Sequence, residues 1–183
     1  MLPYETYLKE VLIPADQLQE RVIQLAEKIN ADYADAEDLL LLCILKGGVM
    51  FLVDLSRHIT IPHEIDFIAA SSYGRGARES TGSVRIDMDV TAAITGRHVL
   101  IVEDIIDSGY TLSFVLDTLR ARKPASLRLC ALLDKASRRE VDITVDYVGF
   151  EIENKFVFGY GLDLDEKFRN LPFIGVVNED VLP

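Results

Sequence analysis

Val102-Glu103-Asp104-Ile105-Ile106-Asp107-Ser108-Gly109-Tyr110-Thr111-Leu112 is the stretch on which the fold turns. A short, unbroken apolar run, Val99 to Val102, leads into it. Such a run suits a strand buried on both faces. Two adjacent acids end the strand, a small hydroxyl-rich loop follows, and Thr111 to Arg120 reads as a helix. The first amides of a helix lack partners inside it, and the helix dipole favours an anion there, so this junction suits a phosphate. Ser108 and Thr111 add hydroxyl donors, and Gly109 lets the backbone approach the anion closely. The plain alternative is a strand-end turn whose acids face water.

Working outward, the same strand-then-helix rhythm recurs. Leu39 to Leu45 is a second apolar run, broken by Gly47-Gly48, and Val49 to His58 then has helical character. Leu127 to Leu133 is a third run. Further strands are predicted at Ile65 to Ala70, Tyr147 to Phe150, Phe156 to Tyr160 and Phe173 to Val177. Asp16 to Asn30 is an amphipathic helix with Leu18, Val22, Leu25 and Ile29 on one face, and Asp16 with Gln19 is placed to form a capping box. Ser71 to Gly82 is polar, glycine-rich and without periodicity, and Val84 to Val90 then alternates apolar and charged residues. Strand, polar loop and strand predict a β-ribbon with a mobile tip, to be cut first by proteases at Arg75 or Arg78. Alternation of apolar strands with helices predicts an α/β fold, a central mostly parallel sheet flanked by helices. Ligands bind such sheets at the carboxyl ends of the strands.

The chain of 183 residues suits a single domain spanning 1–183, and 49% hydrophobic with 27% charged residues describes a folded globule. A net charge of −11 argues against nucleic acid as a partner, because such proteins carry a basic field. No apolar stretch has the length of a membrane span, and the start of the chain lacks the pattern of a signal peptide, so no membrane partner and a cytoplasmic location are expected. Cys43 and Cys130 sit in separate apolar runs and read as reduced core residues, and His58, His63 and His98 read as structural.

The stretch 102–112 closely resembles the phosphoribosyl-pyrophosphate motif of type I phosphoribosyltransferases, in the compact bacterial form of the hypoxanthine-guanine branch. The resemblance covers nearly the whole chain in order and spacing. It implies that Glu103 and Asp104 handle the ribose hydroxyls and a magnesium ion bound there. Asp107 would be the general acid/base at the purine, and Asp107, Ser108, Gly109, Tyr110 and Thr111 would hold the 5′-phosphate. Leu45-Lys46-Gly47-Gly48 resembles the family's pyrophosphate loop, in which the peptide before the lysine is often cis, and Arg169 would reach the same pyrophosphate. Lys135, after Leu132-Leu133-Asp134, would donate to the purine O6. A donor-only lysine suits a 6-oxopurine and not adenine. Phe156 would stack on the base, Val157 would read its edge through the backbone, and Asp163 would meet a second magnesium. Ser72 and Tyr73 match the family's lid, about 71–82, and a small hood over about 147–178 would pack with the N-terminal segment.

The implied reaction is magnesium-dependent transfer of the 5-phosphoribosyl group from phosphoribosyl pyrophosphate to hypoxanthine or guanine, releasing pyrophosphate, by a homodimer or homotetramer. Two alternatives share the pattern. One is a xanthine- or guanine-preferring enzyme. The other is a regulator that senses phosphoribosyl pyrophosphate, which the acidic charge and the presence of Asp107 and Lys135 weigh against.

Overall fold

The computed structural model describes residues 3–72 and 84–182. The tip of the expected lid, Tyr73 included, lies outside the described residues, as do Arg75 and Arg78. The ribbon's flanks are described: β3 (His63–Ser72) pairs antiparallel with β4 (Val84–Met88).

Six strands form the main sheet. β2 (Leu39–Ile44), β5 (His98–Ile106), β6 (Ser126–Asp134) and β7 (Tyr147–Glu151) join β3 and β4 in the order β4-β3-β2-β5-β6-β7. All pairings are parallel except β3 with β4. Every residue of β2 is buried, as its apolar run predicts. The strand's two-residue period sends Leu39, Leu41 and Cys43 into one core and Leu40, Leu42 and Ile44 into the other.

α1 (Ala15–Asp32) and α2 (Val49–His58) cover the first face, where Leu18, Val22, Leu25, Phe51, Leu52 and Leu55 are buried. α3 (Tyr110–Arg120) covers the second through Leu112, Val115, Leu116 and Leu119. β2 therefore leads through α2 to β3 on one side, and β5 leads through α3 to β6 on the other. The switch in direction falls between β2 and β5, where open α/β sheets form their binding crevice.

A second sheet of three strands, in the order β1-β9-β8, consists of β1 (Leu8–Ile13), β9 (Ile174–Val177) and β8 (Val157–Phe158). It is antiparallel throughout. Three sequence expectations change here. Tyr147–Glu151 extends the main sheet beside β6 instead of joining the small one, so the small sheet's contribution from this region begins at Val157. Phe156 lies outside the strand predicted for it, because β8 is only two residues long. The capping box is absent: Pro14 takes the N-cap position with extended backbone, and no side chain caps the helix. Asp16 accepts from the amide of Gln17 (3.0 Å), and Gln19 donates across to Asp54 (2.9 Å).

Candidate active site

Three loops leave the carboxyl ends of β2, β5 and β6 and meet at the crevice. The first, after β2, is Leu45 to Gly48, and its Leu45–Lys46 peptide is cis. A Cβ on Gly47 would collide with Oδ2 of Asp104, and one on Gly161 would collide with the carbonyl oxygen of Gly47. Backbone, acid pair and small-sheet loop thus approach more closely than any residue but glycine allows.

Glu103 and Asp104 close the buried part of β5. Burial pushes the Glu103 carboxyl well above the usual carboxylate range, helped by the neighbouring Asp104 charge, and burial likewise raises Asp104. Oε2 of Glu103 is buried without a hydrogen-bond partner. Asp104 accepts from the amide of Ile105 (2.7 Å). The same acids act on Cys43, whose thiol is pushed up to about 12, first by burial and then by these two charges. Both cysteines are free and buried, so neither is a reactive thiolate.

The second loop runs from Asp107 into α3. Gly109 has φ +91°, the left-handed region where a side chain is strained, and a Cβ there would press on Ile143 and Arg139. Ile105 to Leu112, with Ile44 and Glu103, line a cavity of about 170 Å³. Ser108, Gly109, Tyr110 and Thr111 therefore share one concavity with Asp107.

The third loop brings Lys135 to Asp107. Lys135 is 7% exposed. Its Nζ lies 3.2 Å from Oδ2 of Asp107, and its amide donates to the carbonyl of Ile106 (3.0 Å). The following residues were given no role by the sequence reading, yet they hold this loop to the second one. Arg138 Nε donates to Oδ1 of Asp107 (3.2 Å). Arg139 pairs with Asp134. The Glu140 amide donates to the carbonyl of Ser108 (3.0 Å), and the Tyr110 hydroxyl donates to the Glu140 carboxylate (3.1 Å). A run Ser137-Arg138-Arg139-Glu140 just after a strand end was the available signal.

The small-sheet segment supplies the remaining predicted residues. Phe156 is 44% exposed for so large an apolar ring, and Val157 beside it is buried. Arg169 donates to the carbonyl of Gly161 (2.8 Å) and pairs with Asp163 (2.8 Å) and Glu166 (3.3 Å). Glu166 also pairs with Lys46 (2.8 Å), which holds its carboxyl below the usual range. The two cations expected at pyrophosphate thus share one carboxylate. Asp163 does not join Glu103 and Asp104: among the described residues no three His, Cys, Asp or Glu side chains converge in the manner of a metal cage. Ser72 ends β3, and Tyr73 lies outside the described residues.

A crevice at a switch point, a glycine-bearing strand-to-helix loop and a buried lysine against an aspartate accord with a phosphoribosyl transferase domain, and the model of that domain family matches residues 14–165. The chain belongs to this family, within its hypoxanthine-guanine branch. It is 48% identical over 169 residues to the hypoxanthine phosphoribosyltransferase of Salmonella typhimurium, covering 92% of this chain and 94% of that one. It is 47% identical over 187 residues to the hypoxanthine-guanine phosphoribosyltransferase of Mycobacterium avium, with 98% and 92% covered. A crystal structure of a hypoxanthine phosphoribosyltransferase from Staphylococcus aureus superposes with a TM-score of 0.93 at 42% identity, covering 98% of this chain and 96% of that one. No helix among the described residues is long and apolar enough to cross a membrane.

Proposed function

We infer that this chain joins hypoxanthine or guanine to the ribose of phosphoribosyl pyrophosphate. The observation that carries the reading is the pair Asp107 and Lys135, 3.2 Å apart beside the Ser108–Thr111 loop. On a 6-oxopurine, O6 and N7 are neighbouring atoms of one edge. A lysine donor and a carboxylate acceptor at this spacing match them in turn. Adenine carries an amino group in place of O6 and would leave Lys135 buried without its acceptor, which selects strongly against it.

In the reaction the C1′–O bond to pyrophosphate breaks, and its electron pair leaves with the pyrophosphate. N9 of the base supplies the pair for the new C1′–N bond. Asp107 holds the N7 proton and takes it as positive charge develops on the ring, a role worth about 10²–10⁴-fold. Ser108 to Thr111 bind the 5′-phosphate at the start of α3. The exposed ring of Phe156 stacks on the base, and the Val157 backbone meets its edge. Lys46, the Gly47 amide and Arg169 receive the pyrophosphate, with Glu166 giving up its two cations to it.

The acid pair fits a divalent cation. Glu103 has a buried, unpartnered oxygen, and both carboxyls are held above their usual range when no cation is near. Two carboxylates and no closed cage suit magnesium, which keeps water and substrate oxygens as its other ligands. The chemistry it supplies is neutralisation of the diphosphate charge. Asp163 keeps acceptor capacity beside Arg169 for a second ion.

Two further readings accompany this one. Two free, buried cysteines accord with a reducing compartment such as the cytoplasm. Met50 and Val53, both exposed on α2, border a groove of about 360 Å³ beside Arg169 and Leu171, which accords with self-association to a dimer or tetramer.

The test supplies the enzyme with magnesium, phosphoribosyl pyrophosphate and one base at a time, and measures nucleotide and pyrophosphate. Equal formation of both from hypoxanthine or guanine, and none from adenine, is expected. Nucleotide from adenine, or from no base at all, refutes the reading.

A further inference from the structure

We propose that Arg138 is a positioning residue for the transfer step, fixing the rotation of the Asp107 carboxylate so that Oδ2 faces the base. The proposal rests on the reading of Asp107 as the acid/base.

Its basis is local geometry. Ala136–Arg138 form one 3₁₀ turn, with Lys135 at its N-cap and the Arg138 amide donating to the Lys135 carbonyl (2.8 Å). In a 3₁₀ turn, residues three apart eclipse one another. Lys135 and Arg138 therefore present their cations to the same side, and they reach different oxygens of one carboxylate: Nζ to Oδ2 and Nε to Oδ1, each at 3.2 Å. The turn is anchored by Arg139 on Asp134, so the spacing does not depend on substrate.

Two contacts are needed because of how an aspartate rotates. The torsion that turns its carboxylate is broad and roughly two-fold, without sharp staggered wells. A single contact leaves that rotation loose. Contacts on both oxygens from fixed directions define it. Lys135 cannot do this alone once a base arrives, because its donors are then divided between Asp107 and O6. The hold of Arg138 on Oδ1 is independent of the base.

The contribution to stability is small. The side chains of Arg138 and Asp107 are 46% and 45% exposed, and ion pairs so open to water add little to folding. A turn arginine that adds little to stability yet touches the acid/base carboxylate directly is suited to geometry and not to packing.

The experiment is a double-mutant cycle in steady-state turnover, with calorimetric binding of phosphoribosyl pyrophosphate and a thermal melt as controls. Arg138→Gln should lower kcat about tenfold, since a loosened acid/base forfeits part of its usual advantage while Lys135 still holds one oxygen. Its KM for phosphoribosyl pyrophosphate and its melting temperature should match the parent. Arg138→Lys, which keeps a cation within reach, should recover most of the loss. In an Asp107→Asn background the Arg138→Gln change should have almost no further effect, because there is no carboxylate left to orient. A kcat within twofold of the parent, losses that multiply in the double variant, or a melting temperature that falls with kcat and is not restored by lysine would each overturn the proposal. The acid/base reading fails separately, if Asp107→Asn alone turns over like the parent.

Discussion

Glu103 is the residue where stability and function should oppose each other most clearly. Its carboxyl is buried, carries an unpartnered oxygen and sits against the Asp104 charge, and its proton affinity is raised well above the ordinary value. A carboxyl whose folded pKa lies above its unfolded pKa binds more protons in the native state. Stability is then present at low pH and is lost as pH rises from the ordinary carboxyl range through the raised value. Glu103→Gln removes the charge, keeps the shape and offers an amide donor to Asp104. Relief of one buried unsatisfied group is worth about 1–3 kcal/mol. For a chain of this length each kcal/mol moves the melting temperature by about 2–4 °C. With chelator present at pH 8, the variant should melt roughly 2–12 °C above the parent. The gap should close as pH falls toward 4, where the parent's own carboxyl is protonated. Addition of magnesium and phosphoribosyl pyrophosphate should reverse the order, since the parent gains a cation the variant cannot hold as well. A variant that melts below the parent in chelator, or a gap that widens as pH falls, would refute the reasoning.

The other predictions concern the neighbouring loops. Lys135→Ala should cost at least tenfold in affinity for hypoxanthine and guanine, read by calorimetry with an unreactive base analogue, because it removes the proposed O6 donor. Gly47→Ala should weaken phosphoribosyl pyrophosphate binding more than tenfold and destabilise the fold by about 1–3 kcal/mol, since the added methyl collides with the Asp104 carboxylate. Urea melts and calorimetry check the two halves of that statement independently.

Much of this architecture is legible in the chain because its decisive signals are local. β2 declares itself as an apolar run with no polar interruption, and a strand that reads so must be buried on both faces. The junction of β5 and α3 carries its acids, hydroxyls and glycine within eleven consecutive residues, so strand end, connecting loop and helix start follow from one string. β1 gave no such signal. Leu8–Ile13 has Lys9 and Glu10 near its start, half of it is exposed, and two register shifts interrupt its pairing with β9. An edge strand of this kind is held by a partner more than 160 residues away, and its own pattern barely marks it. The helix entry at Pro14 was misread for a related reason. Asp16 and Gln19 have capping-box spacing, but the helix is entered from extended Pro14, two residues earlier, which leaves the pair to other partners.

The coupling of the two halves of the site was the least legible feature, and the cause is physical. On the proposed reading, base recognition hangs on Lys135 and phosphate binding on Ser108 to Thr111, residues that follow different strands. What joins them is a set of contacts between residues about thirty positions apart: Lys135 and Arg138 on Asp107, Glu140 on Ser108 and Tyr110, Arg139 and Ile143 against Gly109. Charged residues after a strand end usually face water, so the run from Ser137 to Glu140 is a weak signal by itself. Only the parallel pairing of β5 with β6 in register, Ile106 against Asp134, brings the two loops edge to edge. Once that register is fixed, each residue beyond the strand ends meets a partner on the neighbouring loop. On that reading, a base that pulls on Lys135 acts on the same turn that contacts the loop from Ser108 to Tyr110. Orientation of both substrates by one connected turn offers a direct route to aligning N9 with C1′, where misplacement of about 1 Å can cost a hundredfold in rate.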